Sequence, residues 1–215
     1  MIIVEINIKG TIVSDEDAKI YEYYGVEYTS PKDITSALLK ANGENVDICI
    51  NSGGGDVFAA SEIYAKIQKY SGNVQIHVIG LAASAASVIM CAANSDISIT
   101  SMVMIHNVSS CTSGNFSEFA HESEILRQAD KAICQAYVNK TGKSEIEMLT
   151  LMDKETWFTA KEAVELGLCD KIAGKETFTN ACCTIINDLQ RKQYQQIKAN
   201  LQLSLEKLKE VKSIE

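Results

Sequence analysis

Two apolar strands in succession, each ending in residues with almost no side chain and each running into a helix, govern what this 215-residue chain can become. The first is VDICINS, residues 46–52, which stops at Gly53, Gly54 and Gly55. Behind it Ala60, Ile63, Tyr64 and Ile67 recur at i, i+3, i+4 and i+7, the period of a helix with one apolar face, over residues 57–70. The second strand is NVQIHVIG, residues 73–80, which passes through LAA into a helix, SAASVIMCAA, that starts at about Ser84. Strands alternating with helices in this way pair in parallel, because the crossover helix brings the chain back along the same sheet. The expected class is therefore α/β, with a largely parallel sheet and helices on its faces.

The flanking sequence extends this pattern. IIVEINI alternates as a strand, a loop comes next, Pro31 after Ser30 opens a helix through ITSALLKAN, and DISIT and MVMIH are two further short strands. Residues 117–138 read as a long helix with Ile125, Leu126, Ala129, Ala132, Ile133, Ala136 and Tyr137 on one side, and a short helix lies near 143–152. In WFTAKEAVELG, Thr159 caps a helix, Glu162 sits three residues on and Gly167 ends it. The main domain is thus expected within residues 1–175. From 185 to 215 the composition shifts to Gln, Lys, Glu and Leu, and Tyr194, Ile197, Leu201, Leu205, Leu208 and Val211 mark an amphipathic C-terminal helix. It serves either to pack on its own domain or as an oligomerisation or partner arm.

A net charge of −8 without a basic stripe argues against nucleic acid as the partner. MIIVEINIKG has no signal-peptide pattern and no apolar run suits a spanning helix, so no membrane partner and a cytoplasmic location are expected. The seven cysteines form no CxxC pair with metal-like spacing; Cys49, Cys91, Cys134 and Cys169 read as small core residues, and neither a metal nor another cofactor is expected.

Three places can carry chemistry. The triple glycine leaves backbone N–H groups open to close approach, which suits a phosphate cradle or an oxyanion hole. A dinucleotide site would need GxGxxG and an acid ending the next strand, and neither is present. Ser84, at a sharp strand-to-helix turn, is either a plain helix cap or a presented nucleophile. A nucleophilic serine needs a base that titrates near neutrality. Of three histidines, His77 lies inside a strand and His121 on a helix surface among glutamates, which leaves His106 at the end of MVMIH. Asp153 and Glu155 offer a carboxylate to orient it.

INSGGGDVFAASEIY, GLAASAASVIM, MVMIHN and ETWFTAKEAVELGLCDKI, in this order, resemble the four signature stretches of the Clp peptidase (ClpP) family, and of its phage or prophage head-maturation branch especially. The resemblance spans residues 2–173 and implies that residues 1–175 form a peptidase domain with the crotonase-like spiral of ββα units, residues 117–138 being the handle helix. It implies Ser84 as nucleophile, His106 as general base and Glu155, or in reserve Asp153, as the third triad member. The backbone N–H groups of Gly55 and Ala85 become the oxyanion hole, and Gly54, Asp56, Val57 and Asn107 contact substrate. Gly53 replaces the family's usual proline, and VSSCTSGNFSEFA replaces its Gly-rich handle strand.

The resemblance implies a serine endopeptidase that assembles as a homo-oligomer, a heptameric ring, single or stacked in pairs, acting on polypeptide. The chain opens directly on its first strand, without the segment and axial loops by which members dock an unfoldase, so an ATPase partner is less expected than capsid or scaffold substrates. If phage-encoded, the protein would work in host cytoplasm. Two alternatives of other classes stand beside this reading: a crotonase-type acyl-CoA enzyme, and a catalytically silent ring or scaffold protein. A serine and lysine peptidase of the signal-peptide-degrading type would need a membrane anchor that the sequence does not offer.

Overall fold

The structure, a computed structural model, describes residues 3–174. The C-terminal helix expected at 185–215, together with Cys182 and Cys183, lies outside the described residues. In chain order the elements are β1 (Ile3–Ile12), α1 (Ala18–Tyr24), β2 (Tyr28–Thr29), α2 (Pro31–Ala41), β3 (Asn45–Gly55), α3 (Val57–Gln68), β4 (Val74–Ala83) and α4 (Ala85–Met90). They continue with β5 (Asn94–Ile97), β6 (Met102–Ile105), α5 (Phe116–Thr141), α6 (Glu145–Asp153), β7 (Thr156–Thr159), α7 (Ala160–Leu166) and β8 (Lys171–Ile172).

The α/β class read from the sequence is the class observed. The sheet runs β2-β1-β3-β4-β5-β8, parallel throughout, and its centre is covered on both faces, so Ile8, Ile48, Ile50, Ile76 and Val78 are fully buried. Each such side chain contributes about 1.5–3 kcal/mol relative to exposure. The strand that matters most for the site is β4, which forks. Gln75–Val78 pair with β5, whereas Leu81–Ala83 pair with Met102–Met104 of β6. The fork carries the end of β6 alongside the end of β4, and β7 then pairs antiparallel with β6, Ile105 opposite Thr156.

Local chemistry fixes most element ends. Ser30 caps α2 through Asp33 N–H, with Pro31 at its first position. Asn115 and Glu118 form a capping box that starts α5, and Thr159 and Glu162 form the one expected at α7, which Gly167 closes in the left-handed region. Two expectations need correction. The stretch between β1 and Pro31, read as loop, holds α1 and β2, and Trp157 and Phe158, read as part of a helix entry, belong to strand β7. Residues 106–115, where the family's handle strand was expected to be replaced, form no helix or strand. Among the described residues no helix is long and apolar enough to cross a membrane.

Candidate active site

Ser84 stands between the end of β4 and the first turn of α4 with φ 54° and ψ −125°. This is a region that a residue with a Cβ enters only at a cost of about 1–3 kcal/mol, and the neighbouring structure must hold it there. Three restraints do so. Its N–H donates to Met104 O at 2.9 Å, its carbonyl accepts from Ser87 N–H at 2.9 Å, and Ser87 Oγ donates to the same carbonyl at 2.6 Å. Ser87 Oγ is in turn 2.8 Å from the hydroxyl of Tyr137, a fully buried residue of α5. Burial pushes the Tyr137 hydroxyl well above the ordinary range, so it stays protonated. Ser87 therefore bonds back to a carbonyl one turn earlier, as serines within helices do.

The two readings of Ser84 from sequence are separated by where its hydroxyl goes. It makes no side-chain cap bond to α4; Oγ lies 2.7 Å from His106 Nε2. With Nδ1 protonated, Nε2 accepts the hydroxyl hydrogen, the arrangement in which an imidazole can remove that proton as the oxygen attacks. The β4–β6 ladder sets this contact, because Ala83 pairs with Met104 and the next residues along the two strands are Ser84 and Ile105, then His106.

The triple glycine passes directly beneath the serine turn. A Cβ on Gly54, which has φ 97°, would lie 2.7 Å from Ala83 O, 2.7 Å from Ser84 Cβ and 3.0 Å from Ala85 N. One on Gly55, with φ 146°, would lie 2.1 Å from Ile12 O. No other residue type fits at either place. Gly55 and Ala85 both line one cleft of about 760 Å³ together with Ser84, His106, Asp56, Val57 and Asn107. Ala85 opens α4, where the first N–H groups have no partner within the helix. Ile125, Leu126 and Ile133 of α5 form the apolar wall opposite. Asp56 also caps α3, accepting from Ala59 N–H at 2.6 Å.

The structure does not bring the expected acids into bonding contact with His106. Glu155, at φ 46°, is the residue after which β7 begins, and continuing the Ile105–Thr156 register places it across from His106. Its carboxylate is nevertheless exposed, with Oε1 3.4 Å from Trp157 Nε1. Asp153, also exposed, accepts from Asn107 Nδ2 at 2.6 Å. Among the described residues, no hydrogen bond or ion pair joins a carboxylate to His106.

A further polar residue escaped the sequence reading. Asp130 is buried on the inner face of α5, and its Oδ1 accepts from Val108 N–H at 2.7 Å. Burial pushes its carboxyl up and the charge of Asp153 adds to this, while the Val108 N–H and His106 oppose it. A signal was present: residue 130 falls four after Leu126, three before Ile133 and seven before Tyr137, which puts an acid on the apolar stripe. The other histidines sit as expected. His77 is buried in β4, 2.8 Å from Asp96, and His121 is exposed on α5. Cys49, Cys91, Cys134 and Cys169 are buried, as read from the sequence, and Cys111 is exposed.

A strained serine bonded to a histidine, at the fork of a parallel sheet and above a glycine floor, is an arrangement of an α/β protein that can support nucleophilic acyl transfer. Residues 11–176 match the Clp protease family, and the chain belongs to that family. It is 32% identical over 135 residues to the ATP-dependent Clp protease proteolytic subunit 1 of Protochlamydia amoebophila, covering 60% of this chain and 66% of that one. It is 35% identical over 136 residues to the corresponding subunit 1 of Chlamydia abortus, covering 60% and 70%. A ClpP1 mutant from Listeria monocytogenes shares the fold, with a TM-score of 0.67 at 22% identity over 80% of this chain and 92% of that one.

Proposed function

We propose that this chain is a serine-type endopeptidase in which Ser84 is the nucleophile and His106 the general base. The 2.7 Å contact between Ser84 Oγ and His106 Nε2 carries this reading. His106 takes the hydroxyl proton as Oγ attacks a peptide carbonyl, and the oxyanion that forms turns toward the N–H groups of Gly55 and Ala85. Donors of this kind are each worth about 3 kcal/mol in the transition state. The intermediate collapses with proton transfer from His106 to the leaving amine, and water then repeats the cycle on the acyl-enzyme. Gly54, Asp56, Val57 and Asn107 form the floor and rim against which the peptide lies; Glu155 and Asp153 stand near the base as the acids the family motif supplies.

The likeness of the four signature stretches, taken together, to the head-maturation branch supports capsid or scaffold proteins, or short peptides, as substrates. Membership in a family of ring-forming peptidases supports a homo-oligomeric ring, heptameric, with Phe116, Phe119 and Ile125 of α5 offering exposed apolar surface for contacts between copies. The ATP-dependence named for the relatives is theirs, and an unfoldase partner is not part of this reading. A crotonase-type acyl-CoA enzyme is not favoured, since it would leave the Ser84–His106 contact without use.

The test is labelling by a fluorophosphonate together with hydrolysis of casein and of short fluorogenic peptides. The wild-type chain takes the label and cleaves, and Ser84→Ala does neither. A label that persists in Ser84→Ala refutes the assignment, and an unlabelled, inactive wild-type chain points instead to a silent scaffold.

A further inference from the structure

We propose that Asp130, a buried carboxylate of α5 that the family motifs do not assign, is the positioning residue that orients His106. The proposal rests on the reading of Ser84 and His106 as nucleophile and base, and it adds the acid that holds the base in place.

Asp130 is 9% exposed, on a buried helix face otherwise made of Ile133, Cys134, Ala136 and Tyr137. A carboxylate in such a place is costly unless its charge is used. One oxygen is committed: Oδ1 accepts from Val108 N–H, two residues beyond His106, and so fixes the backbone on which the imidazole is mounted. The other oxygen makes no hydrogen bond to a described residue, and the charges of Asp130 and His106 act on each other. One heptad further along the same helix face, Tyr137 reaches Ser87 and through it the carbonyl of Ser84. A single face of α5 thus holds both reacting residues, Asp130 from the histidine side and Tyr137 from the serine side.

The competing carboxylates are less suited. Glu155 and Asp153 are exposed, where water weakens an ion's hold on an imidazolium, and their nearest bonds go to Trp157 and Asn107. A buried carboxylate acts at a lower effective dielectric, so at equal separation it stabilises the developing imidazolium more. The titratable groups around His106 are then Asp130, Glu122 and Tyr137 from α5, Asp153 and Glu155 from the α6–β7 connection, Asp56 from the cap of α3, and Asp17 and Tyr21 at the start of α1.

The experiment compares Asp130→Asn, Asp130→Glu, Asp153→Asn and Glu155→Gln, with Ser84→Ala as the inactive control. Asp130→Asn is expected to lower kcat by about 10²–10⁴-fold with KM nearly unchanged, as loss of a base-orienting carboxylate does. Because a negative charge beside the site is removed, the acidic limb of the kcat/KM profile moves to lower pH. A merely structural role would not move it. Asp130→Glu restores part of the rate, and Asp153→Asn and Glu155→Gln each lose less than Asp130→Asn.

A second measurement needs neither turnover nor a folded Asp130 variant. Fluorophosphonate labelling of Ser84, which needs the base held in place, is expected to persist in Glu155→Gln and Asp153→Asn. Its disappearance in Glu155→Gln, or an unshifted acidic limb in Asp130→Asn, overturns the assignment to Asp130. Activity surviving in Ser84→Ala would instead refute the reading of the site on which the proposal rests.

Discussion

Replacing Ser87 by Ala takes away the hydroxyl that donates to Ser84 O at 2.6 Å and strands the buried hydroxyl of Tyr137 2.8 Å away. An unpaired buried hydroxyl costs about 1–3 kcal/mol, so Ser87→Ala should destabilise by about that much. Tyr137→Phe is milder. It removes the hydroxyl but leaves Ser87 bonded to Ser84, and should cost about 1 kcal/mol, the net worth of one hydrogen bond. The double variant contains no stranded group, so its cost should fall short of the sum of the single costs by on the order of 1 kcal/mol, as expected for contacting residues. Urea unfolding of all four forms at one protein concentration measures this cycle, since an assembling protein's stability depends on concentration. The peptidase rate should fall in Ser87→Ala more than in Tyr137→Phe, because only the first takes a hydrogen bond from the Ser84 carbonyl, leaving it the one from the residue 87 N–H. Costs that add within about 0.3 kcal/mol would refute the chain of bonds from α5 to the serine turn.

Gly54→Ala should fold less stably by about 1–2 kcal/mol for its φ of 97° alone, and should lose fluorophosphonate labelling because the new methyl displaces Ser84; full labelling would show that the floor can yield. Burial works against charge on His77, but the bond from Asp96, that carboxylate's charge and Asp47 outweigh it and raise its pKa above the ordinary 6.5. The stabilisation is therefore complete below the unfolded-state pKa and is lost as pH rises through the raised folded value. Proton NMR should place the His77 midpoint above 6.5, and Asp96→Asn should flatten the dependence of the melting temperature on pH over that window. Thr159→Ala removes the cap of α7 and should cost about 1 kcal/mol in thermal unfolding while leaving the fluorophosphonate label on Ser84, since Thr159 lies at the far end of β7 from Glu155.

The central sheet was legible because its signals are local. Ile48, Ile50, Ile76 and Val78 lie in short apolar runs bounded by glycine and small residues, and Ala60, Ile63 and Ile67 keep helical period between them. The serine and histidine were legible because each ends such a run. Elements that depend on distant partners were not. β7 is four residues whose strand character comes from pairing with β6, so Trp157 and Phe158 read as the approach to the Thr159 cap. In α1 only Ala18 is buried, which leaves no apolar stripe to detect. Asp130 illustrates the reverse case. Its helix was read correctly, but within a single stripe an acid looks like an interruption until Val108 is seen at its oxygen. The order of motifs could likewise suggest an acid at Glu155, whereas the direction its side chain takes is decided by the turn at φ 46° and by Trp157.

The bond between Ser87 and Tyr137 joins positions 50 residues apart in the chain. A ribosome delivers Ser84 and His106 well before it delivers the helix that restrains them both. A half-made chain already carries these two side chains and the bonds from Met104 and Ser87 at the serine turn, but not the Tyr137 hydroxyl that meets Ser87 or the Asp130 carboxylate that holds Val108. The supports from α5 thus reach the serine turn last, so the site is completed in the order in which the chain is made.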